Sequence, residues 1–349
     1  MRLPPRTMLM CPAAQWRSTA LQYVVNVRRV CLVRYGSRQR DGGALAMTEH
    51  RPPGHSEDYF GDYRNFWWNA DFIALMAARL AWSHASSVLE VGCGAGHWLR
   101  TIAPQLAAGT RVTAIDSDPK WSDPDAAWAK ALAQRGLEAS IGLGSAEHIP
   151  FPDCAFDFVT CQTVLIHLRD PRRAIAEMLR VLARGGLLLC VEPDNFGTWC
   201  AASAPRETRT LDEEAEIFKY DLAKARGRIA LGLGDASLGG VLPGLFAASG
   251  VADVEVYVSD KAMPLFPPYT TREQQALLED TSAWFASGAE FTKDHDRAHY
   301  IAGGGDALEF EAHWARELAG RARFLEGVRT HTHHAAGGSL MYLVSGRKI

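Results

Sequence analysis

The sequence has few cysteines, no long apolar run and little net charge, and each of these features argues against a class of protein. Seven cysteines are scattered over 349 residues without C-x-x-C spacing, which argues against a disulfide framework or a zinc module. We expect reduced, packed thiols in a cytoplasmic protein. No run approaches the length of a membrane-spanning helix, so no membrane partner is expected. A formal net charge of −3 gives no basic footprint for nucleic acid.

The histidines lack the spacing of a metal site. Five of the twelve cluster, three at 330–334 and two at 295–299, and Asp294 and Asp296 lie beside the second group. Imidazole and carboxylate groups suit zinc, but no H-E-x-x-H pattern accompanies them. We therefore expect no metal and interpret both clusters as polar loops.

Residues 1–46 differ in composition from the rest of the chain. Eight arginines occur by position 40 and no acid precedes Asp41, which is not a core-forming composition. An arginine-rich transit peptide is one interpretation, and a basic arm that binds membrane or nucleic acid is another. We favour a disordered or spurious extension before a true start at Met47. Arginine outnumbers lysine 30 to 7, as a GC-rich genome would give, and such genomes leave spurious open frames.

A short apolar strand followed by three glycines organises the remaining sequence. The strand at 88–91 is the type that lies buried in a parallel sheet. Gly92, Gly94 and Gly96 then allow a tight turn and a close approach of the backbone to a ligand. A helix beginning near Gly96 directs free N–H groups into the crevice at the strand's carboxyl end, where open α/β sheets bind ligands. The pattern predicts a nucleotide-binding turn.

A second strand at 111–116 ends in Asp116, twenty residues after Gly96. A carboxylate at this position can accept hydrogen bonds from both ribose hydroxyls of a nucleotide. Asp118, in the same loop, is expected to cap a turn or a helix. The strand, the glycine turn and Asp116 alone also permit an NAD-dependent oxidoreductase. The spacing argues against that class, because it is G-x-G-x-G and not G-x-G-x-x-G.

Ordered motifs over residues 85–195 resemble the class I S-adenosylmethionine-dependent methyltransferases that act on small molecules, the ubiquinone type in particular. The motifs are E-V-G-C-G-A-G at 90–96, G-S-A-E-H-I-P-F-P-D at 144–153 and D-P-x-x-A-I-x-E-M at 170–178. The resemblance implies an α/β, Rossmann-like, doubly wound seven-stranded sheet that is mostly parallel, with an antiparallel last strand. It implies S-adenosylmethionine as the cofactor and an O, N or C nucleophile of a small organic molecule as the methyl acceptor.

Site residues follow from the same resemblance. The glycine loop is expected to contact the methionine part of the cofactor, Asp116 its ribose, and Ser145 with Ala146 its adenine. Ser145 stands where the family usually has aspartate, so its hydrogen bond to adenine would be uncharged. Asp157 either joins these residues or caps the start of the fourth strand. The full cofactor-binding set is Glu90, Gly92, Cys93, Gly94, Gly96, Asp116, Ser117, Ser145, Ala146, Glu147 and Gln162.

Two features concern the acceptor. His167, after the fourth strand, is a candidate general base because neutral imidazole can take a proton near pH 7. A hydrogen bond from its ring to local backbone is the structural alternative, since methyl transfer often needs only positioning. In the aromatic segment within 47–84, one interpretation is that Phe66, Trp67 and Trp68 anchor the first helix on the sheet. The other is that Tyr59, Tyr63 or Trp67 lines the substrate mouth.

Helical insertions are expected at about 197–247 and 271–330 within a domain spanning 85–349. The second insertion either covers the substrate or forms a dimerisation arm, so a homodimer is one of the possible assemblies. A non-catalytic module that keeps the fold and the cofactor pocket is the remaining alternative, and the serine at 145 favours it.

Overall fold

The computed structural model describes residues 61–123, 126–201, 210–287 and 292–349. The extension at 1–46, the start at Met47 and the predicted mouth residue Tyr59 lie outside these ranges. Nine strands occur in the part described. They are β1 Ser87–Val91, β2 Arg111–Asp116, β3 Glu138–Leu143, β4 Phe156–Gln162, β5 Leu182–Pro193, β6 Ala252–Val258, β7 Met263–Leu265, β8 Ala335–Gly337 and β9 Met341–Arg347.

Seven of these strands form one sheet in the order β3-β2-β1-β4-β5-β9-β6. Strand β9 runs antiparallel to β5 and to β6, whereas the pairs from β3 to β5 are parallel. The predicted mostly parallel sheet with an antiparallel last strand is therefore confirmed. The strand order reverses between β1 and β4, and the crevice at the carboxyl ends of these two strands is the switch point of the sheet. Strands β7 and β8 form a separate pair.

Ten α-helices of the described residues surround and extend the sheet. In chain order they are α1 Ala70–Leu80, α2 His97–Ile102, α3 Ala127–Ala133, α4 Pro171–Val181, α5 Asn195–Ala201, α6 Leu211–Ala230, α7 Leu242–Ala248, α8 Arg272–Ser287, α9 Lys293–Ala302 and α10 Phe310–Arg329. None of the described helices is both long and apolar enough to cross a membrane.

Local sequence explains where several helices begin. Asp170 accepts a hydrogen bond from the Arg172 N–H and precedes Pro171, so helix α4 starts at this proline. Thr210 and Glu213 form a reciprocal capping box at the start of α6. Helix α1 buries one apolar face, as its amphipathic pattern indicates.

The helix predicted to begin near Gly96 is short. It ends at Ile102 and continues as a short 3₁₀ turn, because Pro104 cannot extend an α-helix. The histidines at 295 and 299 were expected in a polar loop but lie in α9, which Thr292 caps.

Candidate functional site

The glycine loop after β1 lies at the switch point and has no room for a side chain at Gly92 or Gly96. The backbone N–H groups of Gly92 and Cys93 both donate to the carbonyl of Ile115, at 2.7 and 3.0 Å. Gly92 has a φ of +71°, and a Cβ there would lie 2.5 Å from Cγ2 of Val164. Only glycine adopts this conformation readily, so the loop presents bare backbone to the crevice. Glu90, two residues earlier, is buried.

Asp116 joins this loop to the end of β2. Its carboxylate is 2% exposed. Oδ2 accepts the Gly94 N–H at 2.9 Å and Oδ1 accepts the Asp118 N–H at 2.9 Å. Asp118 itself caps the turn at Pro119–Trp121, as expected.

The segment after β3 lies against the same edge of the sheet. Gly144 donates its N–H to the backbone carbonyl of Asp116 at 2.9 Å. The Ser145 hydroxyl accepts the Glu147 N–H at 3.2 Å, and Ala146 is buried. Ser117 and Ser145 are exposed. The structure thus brings the predicted residues of the first three strands to one side of the switch point.

Gln162 ends β4 on the other side of the switch point and is 5% exposed. Neither atom of its side-chain amide has a hydrogen-bond partner of good geometry among the described residues, although the amide is close enough to His97 to influence that ring. His97 is 6% exposed, and its buried Nδ1 has no hydrogen bond of good geometry to any residue that the structure describes. Burial, followed by the charges of Arg64 and Arg100, lowers the pKa of His97 to about 3. The imidazole is therefore neutral near pH 7.

The aromatic segment covers this side of the site. Trp67 is buried, and its ring meets the His97 ring at a centroid distance of 6.2 Å. Trp68 instead packs on Trp98 and Phe72 of the core. Of the predicted mouth residues, Trp67 thus lies beside a polar ring of the crevice. Its neighbour Trp68 performs the anchoring that was the alternative interpretation.

Tyr63 connects the aromatic segment to helix α8 of the second insertion. It belongs to an apolar cluster with Trp67, Met263 and Ala276. Burial and the nearby carboxylates of α8 raise the pKa of the Tyr63 hydroxyl. The backbone N–H of Gly61 donates to the α8 residue Asp280 at 2.9 Å. The segment at 61–69, called the cover below, is therefore fastened to the insertion.

His167 lies on the turn after β4 and is exposed. Its Nδ1 is 3.0 Å from Nη2 of Arg228, on helix α6. Because a guanidinium only donates, Nδ1 accepts and the neutral ring carries its proton on Nε2. In this arrangement the ring offers a donor and not the lone pair that a general base requires.

Sequence reasoning missed Glu192, which is completely buried near the end of β5. Its carboxylate accepts the N–H groups of Val164, Leu165 and Ile166 at 2.8 to 3.3 Å. Burial raises its pKa to about 7, and these hydrogen bonds oppose that shift. The acid holds the turn that carries His167. The sequence signal for this residue is an acidic side chain at the end of an apolar strand.

Asp157 does not belong to the candidate site. Its Oδ2 accepts four hydrogen bonds from Ser86 and Ser87, at the amino end of the parallel sheet. These bonds lower the pKa of the carboxyl group. The adenine contact weighed for Asp157 is wrong, and the strand-capping interpretation is right. No group of three histidine, cysteine or acidic side chains that could hold a metal ion occurs within the described ranges.

Known proteins resemble the central part of the chain. The family described as a methyltransferase domain matches residues 89–190. The uncharacterized methyltransferase YcgJ of Bacillus subtilis is 29% identical over 147 residues, covering 42% of this chain and 55% of that protein. The demethylmenaquinone methyltransferase of Lactiplantibacillus plantarum is 33% identical over 118 residues, covering 33% of this chain and 48% of that protein.

The chain thus spans about half the length of the curated relatives it matches. Among solved structures, that of YcgJ aligns with a TM-score of 0.44 and 18% identity, covering 80% of this chain and 99% of that chain. The sequence matches confirm the resemblance to class I methyltransferases of the small-molecule type.

Proposed function

Because residues 89–190 match a methyltransferase-domain family, we propose that this chain transfers a methyl group from S-adenosylmethionine to a small organic acceptor. The observation that carries the proposal is the crevice at the switch point. Bare glycine backbone and a buried carboxylate lie on one side, and the buried amide of Gln162 lies on the other. A ligand with both ribose hydroxyls and an amino-acid group matches these donors and acceptors.

The residues present fit this cofactor. Asp116 would hold the ribose through its carboxylate, and the 144–147 segment would contact the adenine. The glycine loop and Gln162 would hold the methionine part. When bound, S-adenosylmethionine supplies a methyl group already activated on a sulfonium, so the protein needs mainly to position the acceptor and exclude water. Trp67 and the rest of the cover would exclude water.

The acceptor enters from the β4 and β5 side, away from the adenine-binding residues. His167 lies there, and its bond to Arg228 favours a role as hydrogen-bond donor over one as general base. We therefore assign no proton-abstracting residue. The nucleophile would be an O, N or C atom of a small molecule. We further propose that the protein is cytoplasmic and forms a homodimer.

Calorimetric titration of the full chain with S-adenosylmethionine, S-adenosylhomocysteine and NAD tests the cofactor. We expect saturable binding of the first two and none of NAD. Binding of NAD alone would overturn the proposal. Transfer of labelled methyl to a small-molecule extract then tests the reaction, and label found only in the protein or nucleic-acid fraction would contradict a small acceptor.

A further inference from the structure

Two arginines near the turn after β4 make no ion pair with any acidic residue that the structure describes. Arg228 is half-buried, and its Nε is buried without a hydrogen-bond partner among the described residues. Its guanidinium contacts the His167 ring and makes no ion pair within the described part of the chain. Burying a charge without a counter-charge costs free energy, so this cation is suited to a ligand that carries one.

Arg169 adds a second positive charge at the same place. Its side chain runs beside Gly232, just past the end of α6, where a Cβ on Gly232 would be 3.5 Å from Cδ of Arg169. Arg169 is exposed and, like Arg228, makes no ion pair within the described ranges. We call Arg169, Arg228 and His167 the basic patch.

Carboxylates close to the patch are already engaged. Asp170 and Asp235 each accept a backbone N–H two residues further along the chain. One turn before Arg228, Lys224 pairs with Asp221 and Asp296 at 3.3 Å each. No carboxylate of the described residues lies within ion-pair distance of Arg169 or Arg228, so the positive charge of the patch can be matched by an anionic ligand. Burial, with nearby His295, Arg228 and Lys224, lowers the pKa of the neighbouring His299 to about 4, consistent with a positive local field.

We propose that the basic patch binds an anionic group, a carboxylate or a phosphate, of the methyl acceptor. The inference rests on the proposed function and narrows its substrate class. The patch lies at the carboxyl end of the sheet, on the β4 and β5 side of the switch point. A guanidinium contacts either anion through charge-assisted hydrogen bonds, which are the strong ones. The cofactor's own carboxylate has the same chemistry and is the other source to distinguish.

The test is a calorimetric titration of the full chain, saturated with S-adenosylhomocysteine, with inorganic phosphate against chloride at equal ionic strength. We expect saturable phosphate binding that Arg228→Gln weakens by about 10-fold or more, because a hydrogen bond to a charged group contributes about 1.5–3 kcal/mol. Arg169→Gln, on the surface, should weaken it less. Arg226→Gln changes an exposed arginine of the same helix and should leave phosphate binding unchanged.

Phosphate binding that shows no saturation would overturn the proposal. So would equal phosphate affinity in Arg228→Gln and the unaltered protein. The affinity for S-adenosylhomocysteine separates the two sources of the anion. We expect it to be the same in Arg228→Gln, and a 10-fold loss would assign the arginine to the cofactor's carboxylate instead. If the proposed function itself is wrong, the unaltered protein will not bind the cofactor, which is a different result from a loss of phosphate binding.

Discussion

The Gly94 N–H donates a hydrogen bond of 2.9 Å to Oδ2 of Asp116 and so ties the glycine loop of β1 to the end of β2. The second carboxylate oxygen holds the Asp118 N–H. Asp116 therefore shapes the loop that it is expected to complete as a ribose-binding site. Replacing it with alanine would leave two N–H groups without their acceptor, so the isosteric change is the more informative one.

Asp116→Asn keeps the shape of the side chain but removes the charge and places an NH₂ group against one donor. We expect affinity for S-adenosylmethionine to fall by about 10-fold or more and the free energy of unfolding by about 1–3 kcal/mol. Calorimetry and urea unfolding measure the two. Asp118→Asn is the control, because that carboxylate caps a short turn and pairs with the Lys120 side chain at 3.5 Å, and the affinity of this variant should stay within about twofold. Unchanged affinity in Asp116→Asn would remove this residue from the cofactor site.

The cover depends on Asp280, which accepts the Gly61 N–H and is 8% exposed. Asp280→Ala should loosen the cover, so amide hydrogens at 61–68 should exchange faster and S-adenosylhomocysteine should dissociate a few-fold faster. Hydrogen exchange and stopped-flow release report these changes. Glu279→Ala, an exposed neighbour on the same helix, should alter neither rate. A cover that exchanges as slowly in Asp280→Ala as in the unaltered protein would show that the apolar cluster alone fastens it.

Sequence signals predicted the parts of the site that are encoded within a few consecutive residues. The glycine loop, the acid ending β2 and the caps of α4 all belong to this kind. Asp280 holds a residue 219 positions away, and Arg228 meets His167 across 61 positions, so neither contact has a local pattern. Helix α9 was missed because its histidines and acids resemble a loop, and tertiary packing stabilises it. Burial, which decides the pKa of Glu192, is likewise a property of the fold.

Substitution of Gly234 by alanine would measure how tightly the first insertion packs on the turn after β4. Its φ is +85°, and a Cβ there would overlap the backbone carbonyl of Ile166. Gly250 has a similar φ of +76° but no heavy atom within 4 Å. Gly250→Ala should cost about 1–2 kcal/mol of unfolding free energy for the left-handed conformation alone. Gly234→Ala should cost about 1–3 kcal/mol more, for the overlap. If both variants lose the same free energy of unfolding in urea, the first insertion moves away from the turn at little cost and is not tightly packed there.

Two buried groups should give the stability opposite dependences on pH. His97 has a pKa near 3, below its ordinary 6.5, so the unfolded chain binds the extra proton and stability rises with pH up to about 6.5. Glu192 has a pKa near 7, above its ordinary 4.5, so the folded chain binds the extra proton and stability falls between these values. Between pH 5 and 7 each contributes about 2 kcal/mol, with opposite signs.

The two contributions offset each other in the unaltered protein, and neutral variants should separate them. His97→Gln removes the histidine's contribution, so its free energy of unfolding relative to the unaltered protein should fall by about 2 kcal/mol from pH 5 to pH 7. Glu192→Gln should show a rise of similar size, because it removes the opposing contribution. Urea unfolding at both pH values measures the differences. Parallel profiles would mean that His97 ionises normally, or that the N–H groups of the 164–166 turn keep Glu192 charged.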